Sequence, residues 1–198
     1  HVCPITRMHM RSHLFRSLVL CPILAPALLG AQTPTHQGIV HNLVGSASSV
    51  VRSIDTDSQG NLIVCGTRSD GLDFGVIEYV AGASPLFLAK FSPQGTELWS
   101  RVAGSTTSTT GQAANSVAVD GNDNIYFAGQ LFPLEASAFE GTTLAAGAGG
   151  FVAKYNSAGS LVWVKDFPAT IQAIAIDAGG SLFATRYENA ILKLDPAN

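Results

Sequence analysis

Beyond residue 50 the apolar residues come in short bursts, each closed by Gly, Asn, Asp, Ser or Pro. NLIVCG begins at Asn61, FLAKF at Phe87, ELWSRV at Glu97 and NIYFAG at Asn124. Runs this short and this rich in Val, Ile, Phe, Tyr and Trp predict β-strands. Turn-forming residues separate them: Ser58-Gln59-Gly60-Asn61, Pro93-Gln94-Gly95 and Asn156-Ser157-Ala158-Gly159. Each suits a tight hairpin connection. No segment after residue 31 carries a sustained 3.6-residue apolar period, so no helix is expected there.

The bursts repeat. SIDTDSQGNLIVCGT (53–67), SVAVDGNDNIYFAGQ (116–130) and IAIDAGGSLFATR (174–186) align on Asp57, Asp120 and Asp177. A second block follows in the same order, FLAKFSPQGTELWSRV from Phe87 and FVAKYNSAGSLVWVKD from Phe151, and it superimposes Lys90 on Lys154 and Trp99 on Trp163. AILKLDPAN from Ala190 opens a third copy and brings Lys193 into register. In the second copy the expected strands are 116–119, 124–129, 150–155 and 160–164. Four antiparallel strands per repeat is the blade of a β-propeller. The predicted fold is therefore all-β, a partial β-propeller of about two and a half four-stranded blades. Tandem copies have a physical reason: an isolated twisted sheet has two apolar faces, and a neighbouring sheet can cover them. A longer stretch separates the second and third strands of the first two copies, 68–86 and 131–149. LDFGVIEYVAGA there aligns with AFEGTTLAAGAG, pairing Phe74 with Phe139, and predicts an extra hairpin in the blade. The third copy lacks it.

The N-terminal segment has a different pattern. Arg11 and Arg16 precede an apolar run from Ser17 to Leu29, followed by Gly30, Ala31 and Gln32. This is the layout of a secretory signal peptide cleaved after Ala31. The run is short for a bilayer span and contains Pro22 and Pro26. Val19 and Leu20 before Cys21 are not the small residues of a lipid-attachment signal. Met10 is the expected start, with Met8 the other candidate, and HVCPITRMH reads as upstream read-through or an incomplete gene model. The expected organisation is upstream residues plus signal peptide over 1–31, a lead-in over 32–51, and repeats over 52–198 (approximately 52–104, 114–167 and 171–198, the last truncated). The expected location is secreted, whether extracellular, periplasmic or at the cell surface, with no transmembrane segment after cleavage.

The repeat residues resemble the bacterial SBBP-type β-propeller repeats, whose unit looks like D-x-x-G-N-(apolar)3-x-G, an F-x-G-T-T-L-like hairpin, then an F-V/L-A-K-Y/F block ending in G and W. Asp57, Gly60, Asn61, Gly66, Lys90, Gly95 and Trp99 match in the first unit, and Asp120, Asn124, Gly129, Phe139, Lys154, Gly159 and Trp163 in the second. Asp123 stands where the motif has Gly, and Thr185 and Arg186 depart from it in the third unit. The resemblance covers roughly 53–195. It implies a fold and an exported compartment, and no particular activity.

Charge narrows the partners. The chain has 11 Lys and Arg against 14 Asp and Glu. Three of the basic residues and none of the acids lie in 1–31, so the remainder balances eight against fourteen. A mildly acidic chain without a Lys/Arg cluster does not fit nucleic acid. Only Cys65 remains after cleavage, so no internal disulfide is expected.

Candidate chemistry is sparse. Asp55, Asp57, Asp120 and Asn122 could offer oxygen ligands to Ca²⁺, the one cofactor these residues suggest. The same residues equally form Asx turns, with the carboxylate accepting backbone N–H bonds. Trp99 and Trp163 are either exposed sugar platforms or wedges between adjacent blades. Lys90, Lys154 and Lys193 either ring a channel or lie along the sheet and pair with an acid. Cys65 aligns with Ala128 and Thr185 and reads as a buried thiol. His36 and His41 assemble no metal or nucleophile constellation. The sequence thus points to a non-catalytic exported scaffold or binding module for a protein or glycan. The alternative is the N-terminal part of an exported propeller enzyme, of glycan hydrolase or lyase type, with its active site in further blades. So few blades cannot close a ring, so the chain is expected to be part of a longer product, or to self-associate through its open blade edge.

Overall fold

A computed structural model describes residues 49–68, 85–105, 107 and 111–196, all within the unit Gly38–Asn198. The signal segment, His36, His41 and the insertion that carries Phe74 lie outside the described residues. So do most of the lead-in and the last two residues.

The all-β expectation holds: thirteen strands and no helix form among the described residues. The first copy folds as an antiparallel meander of β1 (Val50–Thr56), β2 (Leu62–Thr67), β3 (Leu86–Phe91) and β4 (Glu97–Ser105). The second is β5 (Ala113–Val119), β6 (Ile125–Gln130), β9 (Gly150–Tyr155) and β10 (Leu161–Phe167). Between its second and third strands lies a short hairpin, β7 (Ser137–Phe139) and β8 (Thr142–Leu144). The third copy contributes β11 (Ile171–Ile176), β12 (Leu182–Arg186) and β13 (Ala190–Leu194). The first strand begins two residues before the expected repeat boundary at 52, and β10 runs three residues past the expected end at 164.

The apolar alternation explains why the sheets stack. Along β6, Ile125 and Phe127 face the first sheet, where they pack with Ile63, Cys65 and Leu88. Tyr126 and Ala128 face the other way, onto Ile171, Ile174 and Leu182 of the third unit. A period of two thus supplies both faces of one central sheet. Phe127 and Phe151 are fully buried, with ring centroids 4.9 Å apart. Burial of each contributes about 1.5–3 kcal/mol.

The inserted hairpin does not sit in the sheet of its own unit. β6 and β9 pair directly with each other, so neither offers a free edge. β7 instead pairs antiparallel with β4 of the preceding unit, Ala103 opposite Phe139 and Ser105 opposite Ser137. The first sheet thereby grows to six strands. The Glu140-Gly141 turn, with φ of 41° and 85°, allows the two-residue reversal. Glu140 then ties the units together: its carboxylate pairs with Arg101 and accepts the Leu161 N–H at 2.9 Å. In the third copy the turn at Tyr187–Asn189 replaces the insertion, and β10 gains no such neighbour among the described residues. β10 ends at Phe167, and Pro168 occupies the position of Gly104 in β4. Proline has no N–H to give a ladder, so the uncovered edge is blunted where the covered one is extended.

Candidate functional site

The first strands of the three units, β1, β5 and β11, each at an edge of its sheet, carry a β-bulge at the same repeat position. Register slips between Val51 and Ser53, between Ala114 and Ser116, and between Ile171 and Ala173. The extra residues are Arg52, Asn115 and Gln172. A bulge re-aims the side chain it inserts, and the three units direct these residues into one open cleft of about 820 Å³. Gln130, Thr170 and Tyr187 complete its polar wall. Val50 and Val51, each 46% exposed, supply its apolar part.

The wall is held by backbone contacts. Asn115 Nδ2 donates to Ile171 O at 3.0 Å, and Tyr187 N–H donates to Thr170 O at 2.9 Å. The turn that presents Tyr187 keeps Glu188 and Asn189 at φ 82° and 62°. The left-handed region is uncommon for glutamate. Tyr187 is 63% exposed, a large aromatic open to solvent. Arg52 makes no ion pair among the described residues, whereas Lys90 pairs with Asp57 and Arg101 with Glu140. No described lining residue is a carboxylate, histidine or cysteine.

Arg52, Asn115 and Gln172 differ in residue type, so the repeat alignment that marks the recurring Asp, Lys and Trp does not mark them. A usable signal was present. VVRSID, AANSVA and TIQAIA place a hydrogen-bonding side chain at one repeat position, where the two-residue alternation slips by one.

The candidates singled out from sequence lie elsewhere, chiefly at unit-to-unit contacts. Asp57 accepts N–H bonds from Gln59 and Asn61 at 2.9 and 2.8 Å, the Asn61 amide at 2.8 Å and the Lys90 ammonium at 2.8 Å. Burial opposes its charge, but these donors outweigh burial and hold its pKa down at about 2. Asp120 accepts from Asn122 N–H, Asn124 N–H and the Asn124 amide, and from the Tyr126 hydroxyl at 3.1 Å. Burial again works against it, and the same donors leave its pKa lowered. Asp177 accepts the Ser181 N–H at 2.8 Å, the first cause of its lowered pKa. Asp55 accepts Thr56 N–H and, across the unit boundary, Val119 N–H, both at 2.8 Å. The carboxylates of Asp55, Asp57 and Asp120 thus accept hydrogen bonds from the protein itself, Asn122 enters through its backbone N–H, and no cluster of three His, Cys, Asp or Glu fit for a metal occurs among the described residues.

Lys90 and Lys154 bridge units. Lys90 donates to Ser157 O at 3.2 Å, and Lys154 to the equivalent carbonyl, Pro196 O, at 2.9 Å. They differ on the acid side. Lys90 lies opposite Ile63 and reaches Asp57. Lys154 lies opposite Tyr126, whose hydroxyl takes the Asp120 oxygen while the ammonium sits 5.2 Å from the ring centroid. Lys193 lies over the Phe183 ring at 5.6 Å. Trp99 is wedged between the first two units, its Nε1 donating to Ser157 O at 3.3 Å. Trp163 packs with the second core cluster and edges onto Tyr126 at 6.1 Å. Gly60 adopts φ 76°, and Asp123, the residue that departs from the motif, adopts φ 60° at the same turn position. The departure has a use: Asp123 receives the Ser58 N–H and hydroxyl at 2.8 and 2.7 Å from the preceding unit. Cys65 is fully buried, and burial pushes its thiol up to about 12.

A second cleft of about 610 Å³ opens between the turns of units two and three, bordered by Asp120, Asn122, Lys154 and Asp177. Its carboxylates are committed to the turns just described.

No family model matches the chain, and no curated protein matches it. Among solved structures, a protein of unknown function from Bacteroides caccae is similar with a TM-score of 0.45 at 10% identity, over 77% of this chain and 44% of that one. This chain thus spans less than half of that protein's length, and a likeness this low establishes neither family nor activity.

Proposed function

We propose that the chain is a section of an exported β-propeller of the SBBP-repeat type that acts as a non-catalytic binding module. The cleft at the three β-bulges is its binding site. The observation that carries this reading is the convergence of Arg52, Asn115 and Gln172 from three consecutive units on one open cleft. Repetition elsewhere serves packing, but at this position the residue changes from unit to unit while remaining a hydrogen-bonding group. Large concave sites with a few directed polar groups and an exposed aromatic suit ligand recognition. Among the described residues, the lining holds no paired carboxylates of the kind that cleave glycosides. Signal-like residues 10–31 support export.

The test is a binding screen of the full chain against immobilised glycans and peptides, with Asn115→Ala and Gln172→Ala as controls. Saturable binding that both substitutions weaken supports the reading. Binding unaffected by both moves the site elsewhere. Turnover of a bound glycan into smaller products replaces the module with an enzyme.

A further inference from the structure

Resting on that reading, we propose that the ligand of the cleft at the three β-bulges is an acidic glycan, with a sugar carboxylate held by Arg52 and the ring hydroxyls held by the amides of the wall. Three features of the cleft select this class.

The first is the charge. Arg52 is the sole charged lining residue and has no acidic partner among the described residues. A guanidinium is matched bidentately by a carboxylate, and the pair fixes orientation as well as energy. The overall acidity of the chain does not cancel this. Screening limits it to about 8 Å at physiological salt, and Asp55 and Asp120 are already engaged by backbone donors.

The second is the neutral lining. Asn115, Gln130 and Gln172 each carry an amide with a donor and an acceptor end, and Thr170 adds a hydroxyl. Vicinal sugar hydroxyls both donate and accept, so an amide can serve two neighbouring hydroxyls at once. Asn115 is pre-oriented, because its Nδ2 is tied to Ile171 O at 3.0 Å. A peptide ligand would instead call for strand-edge pairing or buried apolar anchors. Among the described residues, the aliphatic part of this wall is Val50 and Val51.

The third is Tyr187. An aromatic that is 63% exposed, on a turn held in left-handed conformation, offers a flat apolar face with a polar tip. The C–H face of a pyranose ring matches it. A single Arg with no flanking Lys is too little positive charge for nucleic acid, which is gripped through many phosphates.

The deciding experiment uses the full chain and a defined probe: tetragalacturonate and its methyl ester, titrated by calorimetry at physiological ionic strength. The expected result is binding of the acid at least tenfold tighter than the ester. Arg52→Gln should erase that difference, and Gln172→Ala should weaken acid and ester alike. Circular dichroism verifies that both variants fold. Equal affinity for acid and ester, or Arg52→Gln binding the acid as the parent does, overturns the acidic preference and leaves the binding-module reading standing. Absence of binding by either oligomer overturns the glycan assignment, and the glycan and peptide screen then decides whether the module reading also fails.

Discussion

The hydroxyl of Ser116 accepts the backbone N–H of Ile174 at 3.1 Å across the boundary between the second and third units. Ser53 does the same for Val117 at 3.2 Å between the first and second. β5 and β11 are edge strands of their own sheets. Their inward N–H groups have no ladder partner there, and the preceding unit supplies one. Ser116→Ala should cost about 1–3 kcal/mol, because a buried donor loses its acceptor. Urea unfolding checks the cost, and faster hydrogen exchange at the Ile174 amide checks its location. An unchanged exchange rate there would show that the bond contributes nothing.

Lys90 and Asp57 form a buried ion pair at 2.8 Å. Lys90→Met should destabilise by about 3–5 kcal/mol, since it strands a buried carboxylate. Adding Asp57→Asn should recover part of the loss. The pH dependence has a definite sign. The folded pKa of Asp57, about 2, lies below its ordinary 3.8, so its stabilisation is complete above about 3.8 and is lost as pH falls through about 2. Urea midpoints between pH 2 and 5 should therefore rise with pH in the parent, and less steeply in Asp57→Asn.

Gly159 lies beneath the indole of Trp99 at φ 81°, and a Cβ there would fall 2.7 Å from the ring. Gly159→Ala combines left-handed strain with overpacking and should cost about 2–4 kcal/mol. Gly141 has a similar φ, 85°, with nothing within 4 Å of a Cβ. Gly141→Ala should therefore cost only the backbone share, about 1–2 kcal/mol. Thermal unfolding of the two variants separates the effects, and equal losses would mean that the Trp99 contact contributes nothing.

Pro168 ends β10 at the position where Gly104 lets β4 continue into its pairing with β7. Pro168→Thr restores a backbone donor on an uncovered edge and should increase self-association. Sedimentation velocity over a concentration series reads this directly. A variant that sediments like the parent would show that the proline does not guard the edge.

Cys65 should resist alkylation in the folded chain. It has no exposed surface, and its thiol is pushed up to about 12, so thiolate is scarce at pH 8. Peptide mapping after iodoacetamide treatment should show Cys65 modified only when denaturant is present.

The strands were legible in the sequence because the two-residue alternation and the turn residues are local properties. A run such as NIYFAG needs no partner to declare itself, and the copies aligned on Asp57, Asp120 and Asp177 each supply the main strands of one of three sheets. The Asx turns were equally readable, since Asp57 and Asp120 bond to backbone two and four residues on. What lies between units was not readable. The hairpin Ser137–Leu144 joins the sheet of the preceding copy because β6 and β9 leave it no edge, and edge availability belongs to the assembled sheet. Lys90 and Lys154 occupy one repeat position, yet only the residue across the ladder, Ile63 or Tyr126, determines whether the lysine reaches its aspartate. The cleft depends on bulges aligned across three strands far apart in sequence. Local pattern thus determined the strands and their turns. Tertiary packing decided which edges were free, which charges met, and where Arg52, Asn115 and Gln172 converge, because each of those outcomes depends on residues distant along the chain.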